Sequence, residues 1–107
     1  LDDLCSFIKA AAEIKEPKEK NSQMFVSLGD TIERVCRARG NPSPVVEWKK
    51  VVGTKSVLLN SKSKNGIATL FIESFTEEDL GNYSCVARNS HSVQQSSLQL
   101  KLGRSMT

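Results

Sequence analysis

Apolar and polar residues alternate along much of this chain, and that alternation is the first constraint on its structure. From Ile67 to Ile72, the residues Ala68, Leu70 and Ile72 share one parity while Ile67, Thr69 and Phe71 share the other; Leu98, Leu100 and Leu102 repeat at the same spacing. Successive side chains of an extended chain point to opposite faces, so a period of two predicts half-buried β-strands. Ala68, Leu70 and Ile72 then face a core and Phe71 points out. The same reading gives a ragged first strand between Glu13 and Asn21 and a short edge strand from Met24 to Leu28. Further strands follow at Thr31 to Ala38, Val45 to Lys50, Val57 to Leu59, Ile67 to Ile72, Tyr83 to Arg88 and Val93 to Leu102. Between them lie turn-forming clusters: Gly29-Asp30, Arg39 to Pro44, Gly53-Thr54, Ser61 to Gly66 and Asn89 to Ser92. Asn65-Gly66 suits a type I′ turn. Pro17 has no ladder donor, which confines it to an edge or a loop.

The first twelve residues follow another period. Leu1, Leu4, Ile8, Ala11 and Ala12 recur at three- and four-residue spacing, with Cys5 among them, while Asp2, Asp3 and Lys9 take other positions. This pattern predicts a short amphipathic helix. The expected organisation is therefore a lead-in over 1–12, one domain over 13–102 and a loose, disordered tail over 103–107. An apolar helix face needs a surface to bury against, and outward Phe71, with Thr69 beside it, is the expected place. If that surface stays open, Phe71 is the candidate protein-binding face. Val45 is expected to be exposed on the partner sheet.

One strand contains a conflict. Alternation from an inward Cys36 sends Ile32 and Ala38 inward, and Arg34 with them. Either a bulge re-aims the strand so that Val35 packs instead, or the arginine stem covers core surface while its head escapes to the sheet end.

A chain of 107 residues bounds the molecule to one domain with a single core. The apolar fraction of 38% and charged fraction of 25% are those of ordinary globular domains. Net charge is +3, and the fifteen basic residues are spread rather than blocked, so no nucleic-acid partner is expected. No run of eighteen apolar residues occurs, so no membrane insertion by this segment is expected. The start carries Asp2 and Asp3 where a secretory signal has a basic region, which suggests a piece of something longer.

The run Asp79-Leu80-Gly81-Asn82-Tyr83-Ser84-Cys85 lies forty-nine positions after Cys36 by its last residue, and Trp48 stands twelve after Cys36. With the Gly40-Asn41-Pro42 turn ahead of the tryptophan strand, these features resemble an immunoglobulin-like domain of the intermediate (I) set over about Ala12 to Leu102. The resemblance implies an all-β fold, a two-sheet antiparallel β-sandwich, with the helical or irregular lead-in as an addition. It implies a Cys36–Cys85 disulfide between the sheets with Trp48 packed on it. It also implies a corner in which Tyr83 hydrogen-bonds back across a turn made by Asp79 and Gly81. Trp48, Leu70, Ile72 and Tyr83 are the expected core, and Phe75 is expected to close its lower end.

No catalytic or metal chemistry can be assembled from these residues. His91 is the only histidine, which removes both a Ser-His-Asp triad and a multi-histidine site. The carboxylates Glu77, Glu78 and Asp79 read as a solvated corner, with Asp79 expected to pair with Lys62 or Lys64. No enzyme activity and no cofactor are expected. Asn82-Tyr83-Ser84 fits the N-glycosylation acceptor, whereas Pro42 disqualifies Asn41-Pro42-Ser43. Function is then expected in exposed surface. The resemblance implies a protein-interaction module of a larger extracellular adhesion or receptor-type protein, with an unidentified protein partner and neighbouring domains of the same chain. The alternative is a cytoplasmic structural domain of a cytoskeletal, sarcomeric or signalling protein. A paired Cys36 and Cys85 with an acceptor site favours the outside; the odd Cys5 is more easily kept inside.

Overall fold

The computed structural model describes residues 10–59 and 64–103. Among the described residues, eight strands form where period-two segments meet turn residues: β1 (Ala10–Glu16), β2 (Asn21–Val26), β3 (Ile32–Asn41), β4 (Val45–Val52), β5 (Lys55–Leu58), β6 (Ile67–Ile72), β7 (Gly81–Arg88) and β8 (Val93–Leu102). A 3-10 turn, Glu77–Asp79, precedes β7. The strands make two sheets, one in the order β1-β3-β6 and the other in the order β2-β8-β7-β4-β5. All pairings are antiparallel except β2 with β8, which is parallel. β1 and β2 are consecutive yet lie in different sheets, and the chain crosses between them at Pro17, whose peptide bond is cis.

The two inner faces supply the core. Ile32, Cys36 and Ala38 of β3 and Ala68 and Leu70 of β6 oppose Val46 and Trp48 of β4, Tyr83, Cys85 and Ala87 of β7, and Leu98 and Leu100 of β8. Each set sits at alternate positions, as the pleat requires. Phe75 is buried below them, fixed by reciprocal backbone bonds: Gly29 N–H donates to its carbonyl and its own N–H donates to the carbonyl of Asp30, both at 2.8 Å. Ile72 is half-buried against the cluster. Leu102, in the same parity as Leu98 and Leu100, is 42% exposed; β8 there runs past β7, whose first residue Gly81 is level with Leu100.

Two features depart from the sequence reading. Ala10, Ala11 and Ala12 are extended in β1, not helical; residues 1–9 of the expected helix lie outside the described residues, as do 104–107 of the expected tail. Ala12 is buried, and β1 carries register shifts between Ala10 and Glu13 and again between Ile14 and Glu16. A bulged strand interrupts strict alternation, so Ala10–Glu16 lacks a clean period of two. Asp79 forms no pair with Lys64; its carboxylate accepts from the Thr76 backbone N–H at 2.8 Å and the Thr76 hydroxyl at 3.1 Å, closing the turn. Lys62 lies outside the described residues.

At Arg34 the bulge alternative is excluded. β3 pairs with β6 without a break from Ile32↔Ile72 to Arg37↔Ile67, so no bulge re-aims that ladder. Arg34 is half-buried on the inward side, opposite Leu70. The turn before β6 also forms as its residues dictate: Asn65 and Gly66 have φ of 56° and 75°, and Lys64 and Ile67 exchange two backbone bonds of 3.0 Å.

Candidate binding surfaces

At the centre of the sandwich the Cys36 and Cys85 sulfurs are bonded, with Cα atoms 6.5 Å apart and both residues fully buried. Trp48 lies directly across from Cys85 in the β4–β7 ladder and is 1% exposed. Its indole N–H donates to the carbonyl of Ala68 in the opposite sheet at 3.1 Å, so the buried polar atom of the ring is satisfied. That one bond joins β4 to β6 across the core.

The corner is built on Tyr83. Its hydroxyl donates to the carbonyl of Asp79 at 2.6 Å. Gly81 adopts φ of 133°, a conformation that only glycine enters readily, and so lets the chain turn straight from Asp79 into β7. The Lys50 ammonium stands 5.6 Å from the centre of the tyrosine ring and also donates to the Glu78 carbonyl. Burial, and then the charge of Asp79, push the phenol up to about 12. The corner thus holds Tyr83 as a neutral donor, a structural role.

The opposite end of the sandwich is tied by a residue whose role the sequence reading did not see. Asn89 donates from one amide nitrogen to the carbonyl of Ala10 at 2.8 Å and to that of Pro42 at 3.1 Å. Its side-chain oxygen accepts from the backbone N–H of His91 and of Ser92. Ser92 in turn bonds Ala12 through its hydroxyl. Asn89 was legible only as a turn former; its long-range bonds depend on three segments meeting at one end.

Two outward faces remain. On the three-stranded sheet, Ile67, Thr69 and Phe71 of β6 point away from the core, with Val35 of β3 opposite Thr69 and Glu33 opposite Phe71. Phe71 is 55% exposed and Ile67 39%. The described chain begins at Ala10, paired with Asn41, whereas Phe71 is level with Glu33, eight residues down β3. Arg37 and Arg39 border this face, with Arg37 3.7 Å from Glu16. Lys15 pairs with Glu13, holding that carboxyl below its usual range.

On the five-stranded sheet the outward positions are mixed: a neutral polar stretch centres on Asn82, while Phe25 of β2, 64% exposed, and Val51 of β4 are apolar and Glu47 and Lys49 of β4 are charged. Asn82 of β7 stands between Val51 of β4 and Gln99 of β8, with Gln23 of β2 beyond. Ser84 stands between Lys49 and Ser97. At the upper end Val45 and Val93, 48% and 59% exposed, flank Arg88, which pairs with Glu47 at 3.1 Å. Among the described residues no three of His, Cys, Asp and Glu are grouped to hold a metal ion, and no helix is long and apolar enough to cross a membrane.

Comparison with known families places this arrangement. The model of the immunoglobulin I-set domain matches residues 16–102. The chain belongs to the immunoglobulin I-set family. Its relatives come from two settings. Rat Contactin-4 is 37% identical over 62 residues, covering 58% of this chain. The muscle M-line assembly protein unc-89 of Caenorhabditis elegans is 34% identical over 74 residues, covering 65% of this chain. This I-set domain spans only 6% of the first protein and 1% of the second. Among solved structures, the N-terminal four immunoglobulin domains of Dscam1 isoform 7.44 superpose with a TM-score of 0.71 at 24% identity, over 90% of this chain and 25% of that one. The family is one of generally non-catalytic modules, and the relatives carry the matching segment within longer chains.

Proposed function

We propose that this I-set domain is a protein-interaction module of an extracellular adhesion or receptor-type protein, and that it binds its partner through the outer face of the three-stranded sheet. The observation that carries this reading is the apolar strip Ile67-Thr69-Phe71 on β6, completed by Val35 and bordered by charged residues. Phe71 contributes nothing to the core, and an exposed aromatic ring within a patch rimmed by charge is the composition of an interface anchor. The buried Cys36–Cys85 bridge supports the extracellular part, since such bonds persist in oxidising compartments. Similarity to Contactin-4 points the same way.

Two measurements test the two parts. Intact mass of the protein from its native source, with thiols blocked before extraction, reads the compartment: an oxidised Cys36–Cys85 pair is expected, and free thiols would overturn the extracellular reading. Binding of the purified domain to cells of the source organism reads the face. Phe71→Ser is expected to abolish it with the fold intact, while Gln99→Ser on the other sheet leaves it unchanged; equal binding by both variants would overturn the assignment. The second reading, an intracellular structural module, is favoured by the match to unc-89, and free thiols in the native protein would select it.

A further inference from the structure

We infer that Asn82 is an N-glycosylation site and that its glycan lies over the five-stranded sheet, leaving the Phe71 face as the open one. This inference rests on the extracellular reading above. Asn82-Tyr83-Ser84 supplies the acceptor amide and the hydroxyl two residues on. The structure adds two independent observations. The Asn82 side chain is exposed on the outward side of β7, although β7 is an inner strand held between β4 and β8. Beside it lies a shallow depression of about 410 Å³ whose polar lining comes from Asn21, Ser22, Gln23, Ser97 and Gln99, with no charged residue. Neutral amides and hydroxyls match the amide and hydroxyl groups of a first N-acetylglucosamine, and a lining free of charge imposes no desolvation of an ion when the sugar settles.

The order of events follows from burial. In the folded domain Tyr83 is in the core and Ser84 is 7% exposed, its hydroxyl bonded to the Gln95 side chain at 3.3 Å. The tripeptide cannot leave the middle of a sheet to enter an enzyme cleft. Transfer therefore happens on the unfolded chain: the Asn82 amide nitrogen forms a bond to C1 of the sugar, the bond from C1 to a lipid pyrophosphate donor breaks, the lipid pyrophosphate leaves, and the amide proton passes to the transferase. Folding then carries the modified side chain to the outer face, where Val51 and Gln99 are its nearest cross-strand neighbours and leave it room.

Expression of the 107-residue chain behind a cleavable signal in a mammalian cell line tests this whatever the native compartment. Endoglycosidase-sensitive mass is expected on the wild type, in cells or medium, and is expected to vanish in both Asn82→Gln and Ser84→Ala. A secreted, disulfide-bonded wild type with unmodified Asn82 would overturn the site. Oligosaccharyl transferase given the folded, oxidised bacterial protein is expected to leave it unmodified and to modify the reduced, unfolded chain; equal modification of both would overturn the order. After trimming to one N-acetylglucosamine, amide resonances of Gln23, Ser97 and Gln99 are expected to shift relative to Asn82→Gln while those of Ile67 and Phe71 stay. Unmoved Gln23 and Gln99 signals would overturn the seating of the sugar. A failed acceptor here leaves the compartment reading intact, and free thiols in the native protein would overturn that reading without touching acceptor competence.

Discussion

Trp48 and Tyr83 each place one polar atom inside the sandwich and give it one partner. Truncating Trp48 removes the largest buried ring, leaves a cavity against the Cys36–Cys85 bridge, and deprives the Ala68 carbonyl of its donor. Trp48→Ala is expected to cost about 3–5 kcal/mol, read as the shift in urea midpoint, which approaches the stability of a small domain. A loss below about 1 kcal/mol would remove Trp48 from the core. Tyr83 yields a pH dependence. Its phenol is raised to about 12 from an ordinary value near 10, so between those values the unfolded chain loses its proton while the folded one keeps it. Stability from this group is complete below pH 10 and is lost as pH climbs towards 12. Because Tyr83 is the only tyrosine, tyrosinate absorbance reports it alone. The urea midpoint of the wild type is expected to fall faster through this window than that of Tyr83→Phe, and parallel curves would contradict the assignment. Tyr83 was legible from the short run Asp79 to Cys85 and Trp48 from its spacing to Cys36; Asn89 was not, because its partners lie 79 and 47 positions away.

Elements were readable where the chain alternates without interruption, and unreadable where it does not. β6 and β8 follow their predicted limits, as does the inner parity of β4, because one face of each meets the core and the other meets solvent. β1 was misread at Ala10–Ala12 because two register shifts break the period, and three consecutive alanines carry no face signal of their own. Arg34 shows the opposite case, a strand whose polar residue obeys the register. The β3–β6 ladder runs unbroken through it, so the arginine stem lies inward because its neighbours Ile32 and Cys36 do. Leucine at that position recovers transfer energy and sheds the cost of partly desolvating a guanidinium. Arg34→Leu is therefore expected to leave the unfolding midpoint unchanged or raised. A loss above about 1 kcal/mol would show that the guanidinium makes a specific contact that holds β3 in place.

At the scale of the molecule, the two outer faces differ at their centres: one carries Ile67, Val35 and Phe71 with charged residues around them, the other a neutral polar stretch around Asn82. The fold that separates them was legible from four signals in order, but the use of either face was not, since exposure depends on which strands end up as neighbours and the partner leaves no mark in the spacing. What joins the faces is the Cys36–Cys85 bridge, which spans 49 positions and ties β3 of one sheet to β7 of the other. Closing a loop of about 50 residues removes roughly 4 kcal/mol of chain entropy from the unfolded state in the simplest treatment. Other contacts also join the sheets: Trp48 bonds across to Ala68, and the buried side chains of both inner faces pack together. Reduction is therefore expected to lower stability by about 4 kcal/mol while leaving a folded, less stable sandwich. Comparing urea transitions of the oxidised and reduced protein by Trp48 fluorescence checks this without changing any residue. A difference below about 1 kcal/mol would show that the bridge stabilises little. Complete unfolding on reduction would show that the packing between the sheets cannot hold them alone, which would weigh against any reducing compartment for this domain.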